Sequence, residues 1–170
     1  MSDSERLTLD AVVTVARRVT LQQGGHIPTV IAEGDRSSIQ VQIDPIAPTF
    51  EEREQQFFLM GYALSQNGHI GVLSQAFFIC EGWMSKPVKG KMPRTLPSQD
   101  PQRQEVLMVS HFDVQQAKSD AAMFIMQRNS KQKLLALVPE VLPKESLEVA
   151  NPLLEALALG FLGSANPPQG

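Results

Sequence analysis

The sequence predicts a single α+β domain, in which a mixed, mostly antiparallel sheet of about six strands is flanked by helices. Segments with apolar residues at helical spacing stand near both ends and in the middle of the chain. Between them lie β-branched or alternating segments that are joined by short turns. The resulting order, α-β-β-α-β-loop-β-β-β-α, is typical of this fold class.

The composition is that of an ordinary globular protein. The chain has 170 residues, of which 42% are hydrophobic and 19% charged, and its formal net charge is −3. These values exclude a disordered chain and, on net charge alone, a strongly basic nucleic-acid binder. Cys80 is the only cysteine, so no internal disulfide can form and a reducing compartment is favoured. The first seven residues carry acids where a signal peptide needs bases, and no membrane-spanning apolar run follows, so we predict a cytoplasmic protein without a membrane segment.

The first elements are a helix and a hairpin. Residues 9–23 predict a helix that Thr8 caps and that Gly24 ends. Residues 28–33 are rich in β-branched side chains, and residues 38–43 alternate between apolar and polar after a short turn, which predicts a hairpin. The helix should bury one face and expose the other, with Leu9, Val12, Val13, Ala16 and Val19 on the first and Arg17, Arg18 and Gln22 on the second.

A second helix and a long strand follow. Thr49 and Glu52 form a capping-box pattern, which predicts a helix that continues to about residue 66. Residues 70–80 predict a strand that extends to Trp83 at most, and its apolar centre predicts burial on both faces. The core-facing side of the helix should carry Phe50, Phe57, Met60, Gly61 and Leu64.

The second half begins with a proline-rich segment without periodicity, which predicts a long loop at 85–104. Residues 105–114, 121–128 and 133–138 then predict an antiparallel meander. A core unit over 1–143 therefore precedes a helical segment at 144–162 and a flexible tail at 163–170. Asn151 and Pro152 predict the start of the last helix, whose apolar face holds Leu153, Leu154, Leu157, Phe161 and Leu162.

The proline-rich loop is the most unusual segment in composition. Its net charge is +4, which leaves −7 for the rest of the chain. A basic loop on an acidic body favours contacts with an acidic protein or a phosphate, although a solvated insertion explains the composition equally well. Trp83 and Met84 stand at the mouth of the loop, and both residue types are enriched at interfaces. The predicted interaction residues are Trp83, Met84, Lys86, Lys89, Lys91, Arg94 and Arg103.

Catalytic patterns are weak in this sequence. Ser110, His111 and Asp113 resemble a compressed triad, but alternation along a strand points the serine away from the other two. An alternative site assembled from Cys80, Glu81, His111 and Asp113 needs the thiol to meet a histidine, and no spacing indicates that. No metal-ligand, phosphate-loop or dinucleotide pattern is present, so we predict neither a metal nor another cofactor.

The order of elements over about residues 9–138 resembles the JAMM/MPN-type domain, a group that includes zinc isopeptidases and catalytically inactive scaffold members. In active members the strand after the second helix leads to a His-x-His-Pro zinc-ligand pair, with a zinc-binding Asp further on. Residues 79–84 occupy that place here and contain no histidine, whereas residues 97–100 are similar to the later Ser and Asp positions. The resemblance therefore implies a non-catalytic member, and the chain as a whole resembles bacterial proteins.

These observations favour a non-catalytic protein-interaction or scaffold domain whose partner is another protein or a second copy of the chain. The C-terminal helix is the predicted contact for a second copy. A hydrolase or transferase centred on Cys80 and His111 is one alternative, and binding of a polyanion or nucleic acid by the basic loop is another. The last is disfavoured because the body is acidic and the loop lacks aromatic residues for base stacking.

Overall fold

The computed structural model describes residues 5–85, 99, 101–141 and 151–163. Within this part of the chain, three helices and six strands follow one another in the predicted order. They are α1 (Leu9–Gln23), β1 (Thr29–Gly34), β2 (Ser38–Gln42), α2 (Phe50–Asn67), β3 (Leu73–Met84), β4 (Gln104–Asp113), β5 (Lys118–Arg128), β6 (Leu134–Glu140) and α3 (Pro152–Gly163). The α+β class is confirmed, whereas most of the predicted loop, the segment before α3 and the predicted tail lie outside the described residues.

All six strands belong to one open sheet with the order β2-β1-β3-β4-β5-β6. The five pairings are all antiparallel, so the sheet is simpler than the mixed sheet that we expected. Since β2 and β6 are the two edges, the long strand β3 lies inside the sheet, between β1 and β4.

The centre of β3 is buried on both faces, as its apolar sequence predicts. Ala76 and Phe78 point towards α2 and α3, and the ring of Phe78 meets that of Phe57 edge-on at 4.9 Å between centroids. Phe77 and Ile79 point to the other face, where α1 packs. We name these two surfaces the helix-pair face and the α1 face.

The two faces hold separate cores. The core on the helix-pair face is built from β1, β3, α2 and α3, and it includes Val30, Ala32, Phe57, Leu64, Phe78, Leu154 and Leu157. The core on the α1 face is built from α1 and β3–β6, and it includes Val12, Ala16, Phe77, Ile79, Leu107, Val109, Phe124, Met126 and Leu137.

Glycines allow α2 and α3 to pack with their backbones in contact. A Cβ atom at Gly61 would lie 1.9 Å from the carbonyl oxygen of Leu157, and one at Gly160 would lie 1.9 Å from that of Phe58. No real Cβ contact is this short, so any larger residue at either position forces the helices apart.

The helix ends follow the predicted signals. The Thr8 side chain accepts a hydrogen bond from the Ala11 N–H, and α1 ends at Gly24 with φ of 77°. Thr49 and Glu52 form the complete capping box of α2. These contacts satisfy backbone groups that a helix terminus leaves without partners.

Four side chains differ from the predicted pattern. Phe50 is 54% exposed, because it is the first residue of α2 and precedes the part of the helix that packs on the rest of the protein. Leu162 in the last turn of α3 is 57% exposed for the equivalent reason. Arg17 lies against the sheet, with its guanidinium carbon 4.7 Å from the centre of the Phe124 ring. Asn151 was expected to cap α3 with its side chain, but its Nδ2 donates to the His111 carbonyl, 3.0 Å away, so its amide contacts the sheet.

We expect Gly61→Ala to destabilise the fold. The added methyl group overpacks a backbone contact, and overpacking typically costs about 1–3 kcal/mol. Urea unfolding followed by circular dichroism measures the change.

Gly163→Ala is the matched control, because its Cβ would meet the Phe58 ring at an ordinary 3.7 Å. We expect this control to unfold at or above the wild-type midpoint. Equal midpoints for the two variants would contradict the close α2–α3 contact.

Candidate functional site

The strand register separates Cys80 from His111. Cys80 pairs with Met108, and His111 pairs with Phe77, which is three residues away from Cys80 along β3. Side chains alternate between faces along a strand, and directly opposed residues share a face. Cys80 therefore points to the helix-pair face and His111 to the α1 face, and the sheet lies between them.

Glu81 is also distant from the histidine. It lies on the α1 face, four residues from Phe77, which corresponds to about 13 Å along the strand. Its carboxylate accepts a hydrogen bond from the His26 N–H at 2.7 Å. The structure thus places His111 and Asp113 on one face near the end of β4, and it brings neither Cys80 nor Glu81 to them.

Burial makes Cys80 a poor nucleophile. It is half-buried and packs against the core of the helix-pair face, and this loss of solvent raises the pKa of its thiol to about 12. The positive charge of Arg53 lowers this pKa and the negative charge of Glu81 raises it, but both effects are smaller than that of burial. The reactive thiolate is therefore scarce at neutral pH.

We expect the Cys80 thiol of the folded protein to react slowly with a disulfide reagent at neutral pH. The same reagent should label the protein unfolded in guanidinium at the rate of an ordinary cysteine, which provides the control. Absorbance of the released thiolate measures both rates. Equal rates in the folded and unfolded protein would contradict the burial of the thiol.

A polar cluster lies on the α1 face where β1, β3 and β4 run side by side. It consists of Arg6, Glu33, Gln75, His111 and Asp113. Gln75 is its centre and is almost fully buried. Its Nε2 donates to the Leu7 carbonyl at 2.9 Å and to a carboxylate oxygen of Glu33, and its Oε1 accepts from His111 Nε2 at 2.7 Å.

The same cluster holds the segment before α1. Glu33 accepts a hydrogen bond from the Leu7 N–H at 3.2 Å. The Arg6 guanidinium pairs with the Asp113 carboxylate at 2.9 Å. Both backbone groups of Leu7 and the neighbouring cation are therefore bonded to the sheet, which fixes where α1 begins.

Two titratable groups of the cluster have shifted pKa values. Burial lowers the pKa of His111, and the nearby Asp113 and Asp120 oppose this effect only in part. Burial alone would raise the pKa of Asp113, but hydrogen bonds from the Gln116 N–H and from Arg6 outweigh it and lower the pKa. The ring of His111 also stacks on Phe77 at 4.6 Å between centroids. The cluster thus favours a neutral imidazole beside an ionised carboxylate.

The bonds to Leu7 and Arg6 give this cluster a structural role, because they hold the segment before α1 on the sheet. It holds no hydroxyl or thiol nucleophile, because Ser110 points to the opposite face, as the strand alternation predicts. Over the described part of the chain, no group of three or more His, Cys, Asp or Glu residues is placed to hold a metal ion.

Glu33 and Gln75 were not among the residues predicted from the sequence. Each is a polar residue on a strand that is otherwise largely apolar, and that contrast is the signal that could have identified them. It indicates a buried polar partner but not which one.

A second group of residues lies at the opposite end of β3. Trp83 is 46% exposed, and the guanidinium carbon of Arg103 lies 4.3 Å from the centre of its ring. Next to Trp83, Glu105 accepts two hydrogen bonds from Arg128, at 2.6 and 2.8 Å. Met84 is half-buried. The remaining predicted interaction residues, Lys86, Lys89, Lys91 and Arg94, lie outside the described residues.

An open groove of about 420 Å³ runs between α1 and the β1–β2 hairpin. Its floor is formed by Thr29, Ile31 and Ile79 on the α1 face of the sheet. The other lining residues come from the segment before α1, from α1, from the turn after it and from β2, and they are Leu7, Ala11, Val12, Val15, Ala16, Val19, Gln23, His26, Ile27, Gln40 and Gln42.

Comparison with protein-family models, curated proteins and solved structures gives no match to this chain. None of the helices in the described residues is both long enough and apolar enough to cross a bilayer. The surfaces of the protein are therefore the basis for assigning it a function.

We expect the stability of the protein to fall as the pH decreases below the ordinary histidine value of 6.5. The pKa of His111 is lowered on folding, so the unfolded chain binds this proton more tightly than the folded chain does. Urea midpoints measured between about pH 7.5 and 5.5 record the slope.

In His111→Asn, which cannot titrate, this slope should become shallower, whereas His69→Asn should keep it because His69 is exposed. An unchanged slope in His111→Asn would assign the pH dependence to other groups.

Proposed function

We propose that the protein is a non-catalytic interaction domain whose partner binds at the exposed end of β3 and β4. The observation that carries this proposal is the stacking of Arg103 on the half-exposed Trp83. Tryptophan and arginine dominate the binding energy of many protein interfaces, since both bury large areas in well-packed contacts.

The surroundings of Trp83 suit an interface. The salt bridge between Glu105 and Arg128 lies beside it, and Arg128 also donates to the Gly24 carbonyl at 3.1 Å. These bonds connect β4, β5 and the end of α1 next to Trp83. A prearranged aromatic residue of this kind loses little conformational entropy on binding.

A second copy of the chain is a further partner that the surface supports. The outward sides of α2 and α3 expose Leu59, Leu159 and Leu162, each by more than half. Single exposed leucines are common, but three on two packed helices favour an apolar interface. The buried face of α3 packs within its own chain, so only these outer residues would serve a dimer.

Catalysis and polyanion binding have less support. A hydrolase or transferase centred on Cys80 and His111 would need two side chains that lie on opposite faces to meet. Binding of a polyanion depends on the basic residues after Trp83, and salt-sensitive binding to nucleic acid would favour it. We further propose that the protein is related to inactive JAMM/MPN-type scaffold members, comes from a bacterium and is cytoplasmic. These three points rest on the order of elements and on the composition of the chain.

We expect Trp83→Ala to lose its partner when the tagged protein is used for affinity capture from the cells that express it. Truncation of an interface tryptophan typically costs about 2 kcal/mol or more, enough to remove most of the captured partner.

Deletion of residues 86–102 should weaken capture while the fold stays intact. Quantitative mass spectrometry of the captured proteins measures both effects.

Leu135→Ala is the matched control, because Leu135 is a comparably exposed apolar residue on the edge strand β6. A partner retained by the wild type and this control but lost in Trp83→Ala supports the proposal. Equal capture by all three proteins would refute it. Recovery of an untagged copy of the chain would identify the partner as a second copy.

A further inference from the structure

The groove beside α1 exists because the two faces of the sheet are covered unequally. Among the described residues, α2 and α3 pack on the helix-pair face, whereas α1 is the one helix on the α1 face. There α1 contacts β3, β4 and β6. The α1 face of β1 and β2 is therefore left beside the helix as the floor and one wall of the groove.

The groove changes from apolar to polar along its length. Leu7 precedes α1 and is bonded to Glu33 and Gln75, so the beginning of the helix lies at that end of β1. The end of α1 lies at the opposite end, where His26 bonds Glu81. The lining near Leu7 is mostly apolar, with Gln40 opposite Ile31, whereas Gln23, His26, Thr29 and Gln42 lie towards the other end together with Ile27 and Ile79.

The polar end offers two side-chain amides and a hydroxyl beside the His26 imidazole. Among the described residues that line the groove there is no Lys, Arg, Asp or Glu. An anionic head would therefore lose water without gaining a counter-charge, and the one carboxylate described at this end, that of Glu81, already accepts a hydrogen bond from the His26 backbone N–H, which leaves it less available to a cationic head. The neighbouring end of α1 also carries the negative end of the helix dipole, which further disfavours an anion.

His26 defines the hydrogen-bonding pattern at this end. Its Nδ1 lies 2.7 Å from the Ile27 carbonyl, which can only accept, so Nδ1 carries the hydrogen. In the neutral ring, Nε2 is then an acceptor. The side-chain amides of Gln23 and Gln42 supply both donors and acceptors. A hydroxyl group, which donates once and accepts as well, matches this set.

We propose that the groove binds a small amphipathic molecule with an apolar chain and an uncharged hydroxyl head. The chain lies along α1 towards Leu7, and the hydroxyl lies at His26, Gln23 and Gln42. The volume of about 420 Å³ falls within the range of roughly 300–1,000 Å³ that is usual for small-molecule sites. Trp83 of the proposed protein interface does not line this groove.

Displacement of the fluorophore N-phenyl-1-naphthylamine by decan-1-ol, decanoate and decylamine tests the site in the full chain. The three compounds share one apolar chain and differ in head charge at about pH 7. We expect decan-1-ol to displace the fluorophore at a concentration about tenfold lower than either charged compound, a difference of ~1.4 kcal/mol. Equal potency of the three would overturn the assignment of the head group.

Two substitutions on α1 locate the binding. Val15 lines the groove and is 48% exposed, whereas Leu21 is 42% exposed on the same helix and does not line it. Val15→Glu should weaken binding of decan-1-ol about tenfold, and Leu21→Glu should change it less than about twofold. Equal effects of the two variants, or no saturable binding to the wild type, would overturn the proposal.

A third substitution acts at the polar end and keeps the proposal testable if Val15→Glu fails to fold. Gln42 is an exposed residue of the edge strand β2, and Gln42→Leu removes its side-chain amide. It should weaken binding of decan-1-ol while leaving that of the fluorophore unchanged. Equal weakening of both would show that residue 42 does not contact the hydroxyl, which would overturn its place in the site.

Discussion

The burial of β3 on both faces is the constraint on which the rest of the structure depends. A strand covered on both sides needs an element packed on each face, and in the described part of the chain two helices cover one face and one helix covers the other. The registers of β3 with β1 and β4 then decide which residues share a face. A shift by one residue would exchange the two sets of side chains, so strong burial on both sides also fixes the pairing.

Gln75 is the exception within this apolar strand, and it connects the sheet to the segment before α1. A buried amide is costly unless its donors and acceptor are bonded. Here the Leu7 carbonyl, Glu33 and His111 bond them. The position of Leu7 in turn closes the apolar end of the groove. The cluster that looked most like a catalytic site therefore holds the segment before α1 on the sheet, and Trp83 of the proposed interface lies at the other end of β3.

Much of the fold could be predicted because its signals are local. The cap at Thr8, the capping box at Thr49 and the apolar centre of β3 depend on residues close in the chain, and all three were found. The faces of individual strands followed from alternation alone, as with Ser110 and His111. The extent of each buried surface did not, because Phe50 and Leu162 continue their stripes beyond the elements that they would pack against.

The candidate sites were harder to predict because they depend on pairing between distant strands. Nothing in the spacing of Cys80 and His111 indicates that an intervening sheet separates them, since this follows only from the register of β3 with β4. The groove likewise results from the part of the sheet that α1 does not cover. No sequence motif indicates how much of a sheet one helix covers. The sequence indicated that Trp83 stands at the mouth of the loop, whereas its stacking on Arg103 could be seen only in the structure.

The close contact of α2 with α3 has a consequence for how the chain folds during synthesis. Leu154 and Leu157 belong to the same core as Val30, yet more than a hundred residues separate them in the chain. A ribosome that has released all six strands has not yet released α3, so α2 then has no partner at Gly61. The helix-pair face therefore lacks its contacts with α3 until residues 152–163 have left the ribosome. The last step of folding therefore waits for the end of this segment, whatever the speed at which the sheet forms.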